Sequence, residues 1–137
     1  MVAAADLDGD GDVDLACANL NSNSVTLFLA SAQGVFPTTP SLTLTHASLL
    51  APTCLSLEDV DRDGSPDVVA GGSSSDAFVL FFQSNPGVFT TVEVVGATAF
   101  TSSPQSLRVV DVDGDGDSDL VSAQPDLDNV PIFFGAH

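Results

Sequence analysis

The chain has 137 residues and a mass of 13.9 kDa, which suits one small domain or part of one. Nineteen Asp and Glu stand against two Arg and no Lys, a formal net charge of −17; this disfavours nucleic-acid backbones and anionic membrane surfaces and removes any lysine nucleophile. Yet 44% of the residues are apolar, so the chain is no disordered acidic tail, and its charge must be concentrated.

The predicted elements fall into a repeat. The chain opens in an extended piece, Val2-Ala3-Ala4-Ala5, and enters an acidic cluster at Asp6–Asp14. Two short apolar segments follow, Leu15-Ala16-Cys17-Ala18 and Val25-Thr26-Leu27-Phe28-Leu29. A turn closed by Gly34-Val35-Phe36 leads to Leu42-Thr43-Leu44-Thr45. The second unit repeats the order. Pro52-Thr53-Cys54-Leu55-Ser56-Leu57 leads into a cluster at Asp59–Asp67, then come Val68-Val69-Ala70-Gly71, Phe78-Val79-Leu80-Phe81-Phe82, a turn closed by Gly87-Val88-Phe89, and Thr91-Val92-Glu93-Val94-Val95. The third begins at Pro104-Gln105-Ser106-Leu107, carries its cluster at Asp111–Asp119, and continues through Leu120-Val121-Ser122-Ala123 and Val130-Pro131-Ile132-Phe133-Phe134.

The clusters start at Asp6, Asp59 and Asp111, spacings of 53 and 52, and hold 14 of the 19 acidic residues. The segments are short, rich in Val, Leu, Phe and Thr, and punctuated by Gly, Asn, Ser and Pro, with no sustained helical period. A period near 50 residues with four strands per unit predicts an all-β fold of β-propeller-type four-stranded blades. The plainer alternative is a β-sandwich. The expected blades cover about 1–48, about 49–101 and, in part, about 102–137. That is about 2.6 repeats, fewer than the roughly 4 to 8 that close a ring.

The clusters share the pattern Asp-x-Asp-x-Asp-Gly-x-x-Asp. Asp6, Asp8, Asp10 and Asp14 fill it in the first loop, Asp59, Asp61, Asp63 and Asp67 in the second, and Asp111, Asp113, Asp115 and Asp119 in the third. Alternate carboxylates on a tightly curled loop converge on one point, and that many hard oxygen ligands suit Ca²⁺, which takes 6 to 8 oxygens at roughly 2.3–2.6 Å. The glycine after the third Asp permits the sharp turn, with positive φ expected. Position 7 varies (Asp12, Ser65, Asp117), as expected where the backbone carbonyl is the ligand. The candidate metal set is thus these fifteen residues and about three calcium ions. No His or Cys is spaced to chelate within the loops, which argues against zinc, and Mg²⁺ keeps its waters and ranks second. An EF-hand needs Glu at position 12, where Cys17, Ala70 and Ser122 stand, so a calcium-sensor role is not expected.

On these motifs the chain resembles the FG-GAP/VCBS-type repeats, the calcium-loop blades also found in the β-propeller of integrin α subunits. The resemblance spans nearly the whole chain. The three Asp-rich loops carry it, the Gly-Val-Phe turns support it, and Phe134-Gly135-Ala136 is a trace of the FG…GAP signature. It implies a Ca²⁺ in each hairpin between first and second strands, an extracellular setting, and adhesion or ligand recognition.

His46, in a Thr/Leu segment, and His137 are the only histidines, and no nucleophile elbow or similar motif accompanies them. The chain is therefore not expected to be an enzyme. Its nine Phe are expected in the core between blades. Cys17 and Cys54 lie on neighbouring predicted strands, open to a disulfide or to two buried thiols. Ser/Thr-Pro segments at Pro37–Ser41 and Thr101–Pro104 read as polar loops or acceptors of O-linked sugars. Two functions fit. The first is an extracellular, calcium-stabilised structural protein that self-associates through open strand edges into a ring or filament; the third unit, lacking its fourth strand, supplies such an edge. The second is a recognition or adhesion module belonging to a larger propeller, with a protein or glycan ligand. Neither involves nucleic acid or membrane insertion.

Overall fold

The computed structural model describes residues 1–75, 77–96, 104–124 and 128–135. The Thr101–Ser103 stretch, Ala136 and His137, all noted in the sequence, lie outside the described residues. What is described is all β: eleven strands in three antiparallel sheets, which do not close into a ring.

The first sheet is a meander of β1 (Val2–Ala5), β2 (Asp14–Asn19), β3 (Ser24–Phe28) and β4 (Leu42–Thr45). The second repeats it with β5 (Pro52–Glu58), β6 (Asp67–Gly72), β7 (Phe78–Asn85) and β8 (Val88–Val95). The third pairs β9 (Ser106–Val110), β10 (Asp119–Ala123) and β11 (Ile132–Phe133). These are the expected propeller-type blades. The first strands lie side by side, with β5 against β1 and β2 on one side and β9 on the other. Every loop from first to second strand therefore leaves the same end of the stack.

Period-2 alternation builds the core. Leu55, Val68, Ala70, Val79 and Phe81 of blade 2 pack against Leu7, Ala16, Val25 and Leu27 of blade 1. The opposite face of blade 2, through Cys54, Val69, Phe78 and Leu80, packs against Leu107 and Leu120 of blade 3, with Phe78 edge-on to Phe133 at 5.7 Å between centroids. Blade 2 is thus covered on both sides, and all six residues of β6 are buried. Strands buried on both faces become continuous apolar runs, which explains Val68-Val69-Ala70-Gly71.

Both Gly-Val-Phe turns form alike, with Ala32 opposite Val35 and Asn85 opposite Val88, and with Gly34 and Gly87 at φ 75° and 70°. Beyond the turn the blades differ. In blade 2 the chain runs straight on as β8. In blade 1 it leaves the sheet through Pro37-Thr38-Thr39-Pro40, where two residues lack a ladder N–H, and re-enters as Ser41 donates its N–H to the Leu27 carbonyl at 2.8 Å. His46 lies just past β4 rather than within it, and its Nδ1 accepts the Ser48 N–H at 3.1 Å. The cysteines are free thiols. Cys54 is buried toward blade 3, and half-buried Cys17, next to Ala16 and Ala18 that face blade 2, points the other way. They are not disposed for the disulfide that the sequence left open, nor are both buried.

Candidate metal centre

Each loop starts where a first strand ends, and its opening Asp curls back over the turn. Asp6 accepts the N–H groups of Gly9 at 2.7 Å and Gly11 at 2.9 Å. Asp111 does the same with Gly114 at 2.6 Å and Gly116 at 3.0 Å. Asp59 accepts Gly64 at 3.0 Å. The glycines after the third Asp, Gly11, Gly64 and Gly116, have φ of 91°, 93° and 96°, the left-handed region that the sequence required of them.

The next two carboxylates make one step each of the same ladder. Asp8, Asp61 and Asp113 accept the N–H two residues on, at 3.3, 3.2 and 3.1 Å. Asp10, Asp63 and Asp115 accept the N–H of Asp12, Ser65 and Asp117 at 2.8, 2.8 and 2.7 Å. These local bonds curl the backbone and stack the carboxylates on one side. One oxygen from each of Asp6, Asp8 and Asp10 lies within 4.8 Å of the others, as for Asp111, Asp113 and Asp115, and for Asp59, Asp61 and Asp67.

The closing Asp behaves differently from the others. Asp14, Asp67 and Asp119 are buried, and each binds two backbone N–H groups, one seven residues upstream and one sixteen downstream. Asp14 takes Leu7 and Ala30, both at 2.7 Å. Asp67 takes Val60 at 2.9 Å and Gln83 at 2.8 Å. Asp119 takes Val112 and Gly135, both at 2.8 Å. The carboxylate is a bracket joining the loop to the far end of the third strand. Sequence reasoning placed it in the metal set and missed this second task; the signal was a constant offset of sixteen residues to chain positions without side-chain character.

The two bonds favour the ionised carboxylate in both blades, and its burial decides the net outcome. In the doubly covered blade 2, burial pushes the Asp67 carboxyl above its ordinary value, with its hydrogen bonds and the neighbouring Asp61 and Asp63 as lesser influences. In blade 3, covered on one side, the bonds from Val112 and Gly135 win and hold Asp119 below that value. Desolvation and then the nearby Asp14 raise Asp8.

The second loop carries Arg62 where the other two carry Gly9 and Gly114. Its φ is 63°, and its guanidinium reaches across to Asp117 of the third loop at 3.1 Å. Asp59 Oδ1, which in the other loops would accept that residue's N–H, is buried with no partner. A buried carboxylate oxygen without a donor is costly, and beside Asp61 and Asp67 it fits a cation. The donors in all three loops are oxygens, the set that hard divalent ions take.

The profile of the FG-GAP-like repeat matches this chain twice, over residues 6–70 and 59–122. The chain belongs to the FG-GAP-like repeat family. Compared with curated proteins, it matches none. Each match begins at the opening Asp of an acidic loop and runs through the next acidic loop into the second strand of the following blade. Among the described residues no helix is long and apolar enough to cross a membrane.

Proposed function

We propose that this FG-GAP-like chain is an extracellular structural protein whose blades are stabilised by calcium and which self-associates through open strand edges into a ring or filament. The observation that carries the calcium reading is that in each of the three loops three carboxylates bring oxygens close enough to share one ion, sharpened by the partnerless buried oxygen of Asp59. In this reading Asp6, Asp8, Asp10 and Asp14, with the carbonyl of Asp12, hold the first ion. Asp59, Asp61, Asp63 and Asp67, with that of Ser65, hold the second. Asp111, Asp113, Asp115 and Asp119, with that of Asp117, hold the third. The closing carboxylates give metal and backbone different lone pairs of the same oxygens. Calcium supplies the positive charge that lets these carboxylates share one pocket.

Among the described residues, the cleft of about 230 Å³ between blades 2 and 3 is lined by Val60, Leu80, Phe82 and Phe133, with Glu93 as its one ionisable group. A recognition or adhesion module within a larger propeller is the second reading, favoured by the exposed apolar residues on the outer faces of blades 1 and 3.

Calorimetric titration of calcium into chelator-stripped protein tests the proposal. About three ions should bind, and each should add about 2.7 kcal/mol when calcium is about 100-fold above Kd. A flat titration with an unchanged melting curve sinks it.

A further inference from the structure

We infer that Arg62 is a built-in counter-cation for the third acidic loop: it ties the second and third loops together without metal and lowers the affinity of the third loop for its calcium ion. The inference rests on the calcium reading above and deepens it, since it makes the three sites unequal.

The repeat shows what is unusual. Arg62 holds the fourth position of its loop, where the other two loops have Gly9 and Gly114. All three have positive φ, at 63°, 75° and 81°, a region that suits glycine and disfavours a residue with a Cβ. Gly9 and Gly114 also donate their N–H to the opening Asp, at 2.7 and 2.6 Å, while Asp59 Oδ1 receives no such bond. The second loop therefore gains nothing locally from an arginine. The compensation lies in the next unit. The guanidinium meets Asp117 Oδ1 at 3.1 Å and lies over the turn of the third loop. A Cβ on Gly116 would sit 3.8 Å from both of its terminal nitrogens, whereas a Cβ on Gly11 or Gly64 would meet nothing within 4 Å. The equivalent place between the first and second loops has Gly9 and Ser65, a neutral pair that lines a cleft of about 150 Å³.

Charge gives the direction of the effect. The third loop holds five aspartates, Asp111, Asp113, Asp115, Asp117 and Asp119, and the second holds four. Neighbouring loops of like charge repel, and Arg62 is the one Lys or Arg within the three clusters. Calcium in the third loop neutralises part of the same charge, so the empty loop holds the guanidinium more strongly than the filled one. Reciprocity then requires that the guanidinium weaken calcium binding by the factor by which calcium weakens the ion pair. The Arg62 side chain is half exposed, so solvent and salt limit that factor to about two- to fivefold.

Calorimetric calcium titration, with urea unfolding in EDTA and in calcium, tests this. Arg62→Gln should bind one of its ions about two- to fivefold tighter than wild type. It should lower the urea midpoint in EDTA and lower it less in calcium, and both differences should shrink as salt rises. Arg62→Lys, which keeps the charge, should stay near wild type. In an Asp117→Asn background, which keeps that residue's backbone carbonyl, the same change at Arg62 should alter neither quantity. Weaker calcium binding by Arg62→Gln would mark a residue that positions the loop, and overturns the counter-charge. Unchanged calcium affinity, with or without a loss of stability, would mark a plain strut or a bystander, and overturns it too. An Arg62→Gln effect that survives Asp117→Asn overturns the pairing. Each of these leaves the calcium reading in place, because the wild type still binds. A wild type that neither binds calcium nor is stabilised by it overturns both.

Discussion

Replacing Asp67 by Ala separates the bracket from the ligand. The wild-type carboxylate is buried and satisfies the N–H groups of Val60 and Gln83. Alanine leaves two buried donors without acceptors, at about 1–3 kcal/mol each. The loss is partly offset, because burial already penalises the ionised form of Asp67. A net destabilisation of about 2–4 kcal/mol follows in metal-free protein, about 10 °C in Tm for a chain of this length. Asp63→Ala is the control. Asp63 is exposed, accepts one exposed N–H from Ser65, and sits among like charges. Without metal its removal should stay within about 0.5 kcal/mol of wild type; with calcium at about 100-fold above Kd it should lose up to about 2.7 kcal/mol. Urea unfolding in EDTA and in calcium reads all four quantities. Equal stability of the two variants in EDTA would refute the bracket, since both aspartates would then act through the ion alone.

Three further outcomes follow from neighbouring features. A Cβ at Gly71 would lie 2.6 Å from the Phe78 ring and 2.9 Å from Cys54 Sγ, so Gly71→Ala should cost about 1–3 kcal/mol by overpacking, read as a shift in urea midpoint; a neutral result would show that the Phe78 ring moves freely. Cys17 should react with a soluble disulfide reagent in the folded single chain, whereas Cys54, its thiol pushed up to about 11 by burial, should react only on unfolding; equal rates would contradict the packing of Cys54. Asp119 has a folded value below its unfolded one, so its contribution is present above the unfolded value near 3.9 and is lost as pH falls through the depressed value. Asp119→Asn in EDTA should flatten that part of the acid limb in a pH series of urea midpoints, and an acid limb parallel to wild type would count against it.

Much of this was legible in the sequence because the repeat compares the chain with itself. The 53- and 52-residue spacings, the three Asp patterns and the Val/Phe-rich segments located the blades, because a carboxylate cluster and a β-branched run each have few other uses. The divided labour of the aspartates was not legible. A ligand and a bracket both require a carboxylate, and what distinguishes Asp14 from Asp10 is the N–H of Ala30, brought over by a strand pairing that the pattern does not specify. The bend after Phe36 was also hidden, since Gly34-Val35-Phe36 forms the same turn as Gly87-Val88-Phe89 and only the prolines beyond it divert the chain. The tie of Arg62 to Asp117 spans two units, and no spacing within the repeat specifies it.

The burial of every residue of β6 has one more consequence. An ordinary strand has a wet side on which random change accumulates harmlessly, and this one has none. Any side chain exchanged there must fit a packed neighbour on one side or the other, so this ribbon should accept fewer alternatives than the half-open strands around it.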